Sequence, residues 1–446
     1  MSRFSKNILV GAATAAHQVE GNNIHSDYWA MEHMVHTNFN EPSADAVDHY
    51  NRYEEDIKML AEAGLTAYRF SIEWARIEPK QGEFDAKEIE HYRKVLQCCH
   101  DNHVTPVITM YHFTSPVWVI ENGGWECEDT IEAFANYCQY VVEQLGDLMS
   151  YIVTINEANM GLQVAAIAER YTRQMMAKMQ KMKEMAQSQG TDGWAGDNVE
   201  GVAQVGMNFN SMLESMEAQK AESKEIFGME EPQTFVSGRT PEGDILVMRA
   251  HQAARAAMKS VKPELQIGLS LSLHDIEAVA GGEEVAAHEW EEEFAHYLPY
   301  IKEDDFFGLQ NYTRSIMGAD GIQPVPEGAE TTQMDYEFYP QALEHVIRRV
   351  DEEFKNAGCQ KPIMVTENGI ATTDDTRRVA FIEQATAGVE RCLQDDVPVI
   401  GYMYWSLLDN FEWQKGFSMT FGLIAVDRST QVRTKKPSLA YLGNLV

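Results

Sequence analysis

A closed (β/α)8 barrel is the fold class this sequence predicts, and three observations predict it. Eight short apolar segments of buried-strand length recur from one end of the 446-residue chain to the other. Charged stretches with helical periodicity lie between them, the alternation of a parallel sheet covered on both faces. An open, doubly wound sheet shares that alternation. However, no GxGxxG follows the first segment and no GxxxxGK loop occurs, so the dinucleotide- and phosphate-binding versions lack their signatures.

The first strand is read in ILVGAATAA (8–16). With Arg3 and Lys6 ahead of it, this run also imitates a secretory leader. It is near the lower length limit for one, and it leads straight into the polar His17-Gln18-Val19-Glu20-Gly21. NRYEEDIKMLAEAG (51–64) reads as a helix with Ile57, Leu60 and Ala61 on one face and Gly64 at its end. Strands follow at TAYRFSI (66–72), TPVITMYH (105–112) and YIVTINEA (151–158).

The pattern then lapses, so residues 160–243 are expected to form an insertion in the loop after strand four. Within it, 169–190 carries Met175, Met176, Met179, Met182 and Met185 at spacings of three and four. That spacing predicts an amphipathic helix with a methionine stripe. Its first reading is a core or dimer contact; its second is an adaptable apolar wall beside the site. DILVMRAHQAARAAMKSV (244–261) resumes the helix pattern. The last strands are QIGLSLSLHD (266–275), DDFFGLQNYT (304–313), PIMVTENGI (362–370) and PVIGYMYWSLLDN (398–410), so residues 1–446 read as one domain.

Sixty-nine acidic against 36 basic residues give a net charge of −33, which argues against nucleic acid as a partner. No stretch approaches the roughly eighteen apolar residues of a membrane span. Six cysteines without CxxC spacing suggest neither a zinc site nor a disulfide framework, and fit free thiols in a cytoplasmic protein.

In such a barrel, chemistry gathers where strands end at the C-terminal face. The polar residues there are Gln18 and Glu20, Arg69, His112, Asn156 and Glu157, Tyr312, Glu367, and the aromatic Trp405. Singly, Arg69 reads as a structural charge, His112 as a core histidine and Trp405 as packing. Together they would lack buried partners unless they faced one cavity. Glu157 and Glu367, ending strands four and seven, would meet across it. Paired carboxylates are what glycosidic cleavage needs, one as acid and one as nucleophile or base. WSLLDNFEW (405–413) adds two indoles and two acids, a plausible wall for a sugar.

These stretches resemble glycoside hydrolase family 1, the β-glucosidase family, over essentially the whole chain. The resemblance rests on AAHQVEG (15–21), DHYNRYEEDI (48–57), YRFSIEWARIEP (68–79), YHFTSPVW (111–118) and GGW (123–125). It continues through TINEA (154–158), FFGLQNYT (306–313), VTENG (365–369) and YWSLLDNFEW (404–413). It implies a retaining β-glycosidase that needs no metal or organic cofactor. Glu157 would be the general acid/base, Glu367 the nucleophile, and Asn156 the partner of the sugar 2-hydroxyl. Arg69 and Tyr312 would orient the nucleophile. Gln18, His112, Glu412 and Trp413 would bind glycone hydroxyls, with Trp405 as the stacking platform. The implied substrate is a small terminal β-glycoside with an aryl, alkyl or saccharide aglycone; a homo-oligomer is compatible with the resemblance.

The chain departs from the family pattern in places. Asn-Glu-Pro is here Asn156-Glu157-Ala158, which is expected to leave the exit of the acid loop less constrained. His-Trp is His112-Phe113, one indole donor fewer, and Asn-Tyr-Tyr is Gln310-Asn311-Tyr312. Two rival readings share the barrel. A 6-phospho-β-glucosidase would be expected to have cations after strand eight, where this chain has Glu412-Trp413 and a single Lys415. A non-catalytic carbohydrate-binding barrel would be expected to have lost a carboxylate, and both survive.

Overall fold

The computed structural model describes residues 3–170, 172, 176 and 209–446. Eight parallel strands form the barrel. β1 is Leu9–Ala13, β2 Ala67–Ser71, β3 Thr105–Tyr111 and β4 Tyr151–Ile155. β5 runs in two pieces, Gln266–Gly268 and Ser270–Ser272; β6 is Phe307–Gln310, β7 Ile363–Asn368 and β8 Val399–Trp405. The break in β5 closes the cylinder. Its first piece pairs with β4 and its second with β6, so the strand on either side of Leu269 belongs to opposite neighbours. The chains approach closely here: a Cβ on Gly268 would stand 2.1 Å from the carbonyl oxygen of Phe306.

All eight expected strands are present. The run that imitated a leader is β1, buried and paired with β8 and β2. Side chains two apart share a face of a strand, which sorts the core into two layers. Ala67, Val107, Val153, Met364 and Met403 fill the barrel interior, while Tyr68, Ile108, Ile152, Val365 and Tyr402 pack outward under the helices. The interior is thus a packed core, and the polar side chains collect above it.

The helix read at 51–64 spans His49–Glu62; Ile57 and Leu60 are buried, Ala61 only half so, and Gly64 stands at φ +97°. The helix read from 244 begins earlier, at Pro241. Thr240 caps it by accepting from the Gly243 amide, and proline at the first helical position is compatible with that start. After β4, residues 160–170 are helical, Phe209–Phe227 forms another helix, and residues 228–240 return to the barrel. Of the methionine stripe, Met176 is exposed, and Met175, Met179, Met182 and Met185 lie outside the described residues. Among the described residues, no helix is long and apolar enough to cross a membrane.

Candidate active site

Arg69 shares the inward face of β2 with Ala67 and is completely buried. Its guanidinium donates from Nη1 to Glu367 Oε1 at 2.6 Å and to the Thr366 carbonyl at 3.2 Å. Nη2 donates to Asn156 Oδ1 at 2.6 Å, and Nε to Thr109 Oγ1 at 3.0 Å. A guanidinium removed from water needs this full set of acceptors, and its rigid fork fixes Glu367 and Asn156 relative to each other. The other oxygen of Glu367 accepts from the Tyr312 hydroxyl at 2.5 Å.

Asn156 is held twice through one atom. Its Oδ1 also accepts from Gln310 Nε2 at 2.7 Å, which turns its NH2 toward His112, with Nε2 at 3.3 Å. Glu157 follows at φ +44°, a left-handed conformation that non-glycine residues seldom occupy. Its amide donates to Ser270 Oγ at 3.2 Å.

The exit of this loop differs from expectation. Proline has no N–H to give, whereas Ala158 donates its own to the Ser270 carbonyl at 2.9 Å. Its carbonyl accepts from Arg239 Nη1 at 3.1 Å. Ala158 is wholly buried, so the loop is pinned by hydrogen bonds where the family pattern uses a ring.

The two carboxyls are buried in unequal surroundings. Burial holds Glu157 well above the usual carboxylate range; the charges of Glu367 and Glu412 reinforce the shift and Arg69 opposes it. Glu367 is raised too, first by burial, but Arg69 and Tyr312 both stabilise its ionised form. Of the two, Glu367 is the carboxyl whose ionised form its neighbours stabilise, and Glu157 the one whose neighbours favour the protonated form.

A wall of rings and amides surrounds them. Gln18 Nε2 donates to the Phe411 carbonyl at 2.8 Å and to Glu412 Oε2 at 3.4 Å, while its Oε1 is buried without a partner. Glu412 is pushed up to about 8 by burial and by the charge of Glu367. His112 stacks on Trp405 with centroids 5.7 Å apart and on Trp413 at 6.2 Å. Burial, then Arg69, keeps His112 neutral, and its Nδ1 also lacks a partner.

Ten of the eleven residues singled out in the sequence thus gather at the C-terminal mouth. Glu20 does not join them; it pairs with Arg76 at 2.8 Å and accepts from Tyr92. Sequence reasoning missed the supports Gln310, Ser270 and Thr109. Only Gln310 had left a signal, as a departure from the family motif.

Residues 1–446 match the profile of glycosyl hydrolase family 1. The chain belongs to that family. This family 1 enzyme is a retaining β-glycosidase by class, and its fold is shared by solved relatives. It is 43% identical to beta-glycosidase BGL167, with a TM-score of 0.83 over 99% of this chain and 96% of that one. To beta-glucosidase 1317 it is 38% identical, with a TM-score of 0.81 over 98% of each chain. The 1,4-beta-D-glucan glucohydrolase of Thermotoga neapolitana is 28% identical over 482 residues, covering 100% of this chain and 98% of that protein.

Proposed function

We propose that the protein is a β-glucosidase that releases terminal non-reducing glucose from a small β-glucoside by double displacement. The observation that carries the reading is the inequality of the two buried carboxyls, Glu367 gripped by two donors and Glu157 raised by burial, without a cation of its own among the described residues. Glu367 attacks the anomeric carbon while Glu157 protonates the departing oxygen, giving a covalent glycosyl ester. Glu157, now ionised, takes a proton from water as it attacks the same carbon, and two inversions retain the β configuration.

Asn156 suits the 2-hydroxyl: with Oδ1 committed to Arg69 and Gln310, its NH2 remains to donate. The unpartnered Gln18 Oε1 and His112 Nδ1 are the polar atoms that glycone hydroxyls would complete. Trp405 and Trp413 offer ring faces to the pyranose. A 6-phosphate is disfavoured, because Glu412 occupies the wall where it would sit and Lys415 is exposed to solvent. The names of beta-glucosidase 1317 and the glucan glucohydrolase support glucose as the glycone. Six free cysteines suit a reducing cytoplasm.

The test is hydrolysis of a nitrophenyl β-glucoside with and without a 6-phosphate. Turnover of the plain glucoside, with a slow fluoroglucoside trapped on Glu367, is expected. Preference for the phosphorylated substrate would overturn the glycone reading, and turnover of neither would favour a binding barrel.

A further inference from the structure

We propose that Arg239, on the returning arm of the insertion, is a positioning residue for the general acid; the inference rests on Glu157 being that acid. Arg239 lies 82 residues from Glu157 in sequence, and its side chain is 2% exposed. Nη1 holds the Ala158 carbonyl at 3.1 Å, Nη2 holds the Phe235 carbonyl at 2.6 Å, and the guanidinium lies 4.5 Å over the Phe235 ring. The backbone amide of Arg239 donates to the Gly161 carbonyl at 3.1 Å, so arm and acid loop are joined twice.

The nature of this contact points to a placed group. Asp244 reaches Arg239 only at 3.9 Å and is engaged by Tyr297 at 2.9 Å and His296 at 3.1 Å. A cation taken out of water is costly unless its donors are satisfied, and here the Ala158 and Phe235 carbonyls satisfy them at hydrogen-bond distance. Gly161 makes room for it, since a Cβ there would stand 2.5 Å from Arg239 Cζ. On the barrel side, Asn159 anchors the same loop, donating to the Ser272 carbonyl at 2.8 Å and accepting from the Ser272 amide at 3.0 Å.

The loop is therefore clamped between β5 and the insertion, with Glu157 in a left-handed conformation at its start and no proline after it to fix the turn. Arg239 is not among the principal charges acting on Glu157. Its effect is geometric: it sets where the acid proton lies relative to the departing oxygen.

The experiment compares kcat/KM of Arg239→Met and Glu157→Ala on phenyl, nitrophenyl and dinitrophenyl β-glucosides. Poor leaving groups need the proton and good ones do not. Arg239→Met is expected to lose roughly tenfold to 10²-fold on the phenyl glucoside. On the dinitrophenyl glucoside it should stay within about threefold of the parent enzyme. Glu157→Ala should show the same selectivity more steeply, with azide accelerating its turnover of the dinitrophenyl substrate. If Glu157→Ala lacks both signs, the assignment of the acid falls, and the role of Arg239 with it. If Glu157→Ala shows them while Arg239→Met loses equally on every leaving group, or on none, the positioning role alone is overturned. Should Arg239→Met fail to fold, Gly161→Ala, which displaces the guanidinium without removing it, decides by the same criterion.

Discussion

Tyr312→Phe tests the nucleophile most directly, because it removes one hydrogen-bond donor and almost no volume. In the structure the Tyr312 hydroxyl donates to Glu367 Oε2 at 2.5 Å, while Arg69 Nη1 keeps the other oxygen. A hydrogen bond to an ionised group contributes about 1.5–3 kcal/mol. The ionised carboxylate loses that stabilisation and the protonated form loses much less. At about 1.4 kcal/mol per pKa unit, the Glu367 pKa should therefore rise by roughly one to two units.

The sign follows from which form the bond favours. Glu367 must be ionised to attack, so the acid limb of the kcat/KM profile moves to higher pH by that amount. The basic limb, set by Glu157, stays close to its parent position. The measurement is kcat/KM for a nitrophenyl β-glucoside across both limbs in each protein. An acid limb that stays in place, or a shift confined to the basic limb, would refute the assignment of Tyr312 and Glu367 as a coupled pair.

Other outcomes follow from the same contacts. Glu367→Ala should abolish hydrolysis by several orders of magnitude while leaving the fold intact, read as single-turnover kinetics beside circular dichroism. Glu412→Gln removes a carboxyl that ionises at about pH 8 and then raises Glu157, so the part of the basic limb above that pH should move to lower pH, with KM rising because a glycone contact is altered. Gly268→Ala would force a methyl onto the Phe306 carbonyl at the barrel seam, costing about 1–3 kcal/mol and lowering the calorimetric Tm.

Much of the fold was legible because its signals are local. Strand and helix periods repeat within a dozen residues or so, and a barrel brings strand ends together whatever lies between them. That is why Glu157 and Glu367, 210 positions apart, could be paired on paper. Boundaries were less legible: the start of the helix at Pro241 was signalled by Thr240-Pro241, but the apolar period becomes clear only later. Ala158 shows the opposite failure. Sequence motifs say that a ring is absent and cannot say that a backbone amide, the Ser270 carbonyl and Arg239 take over its work.

The barrel, the two carboxyls and the aromatic residues at the strand ends could be read from the chain, because strand patterning and the chemistry of side-chain types are written residue by residue. How charge is distributed among them emerged from the fold. Glu20 left the site for Arg76 and Tyr92, and Arg69 took both Glu367 and Asn156, leaving Glu157 without a cation of its own among the described residues. Desolvation and hydrogen bonding act over a few ångströms between residues far apart in the chain, and such distances exist only once it has folded.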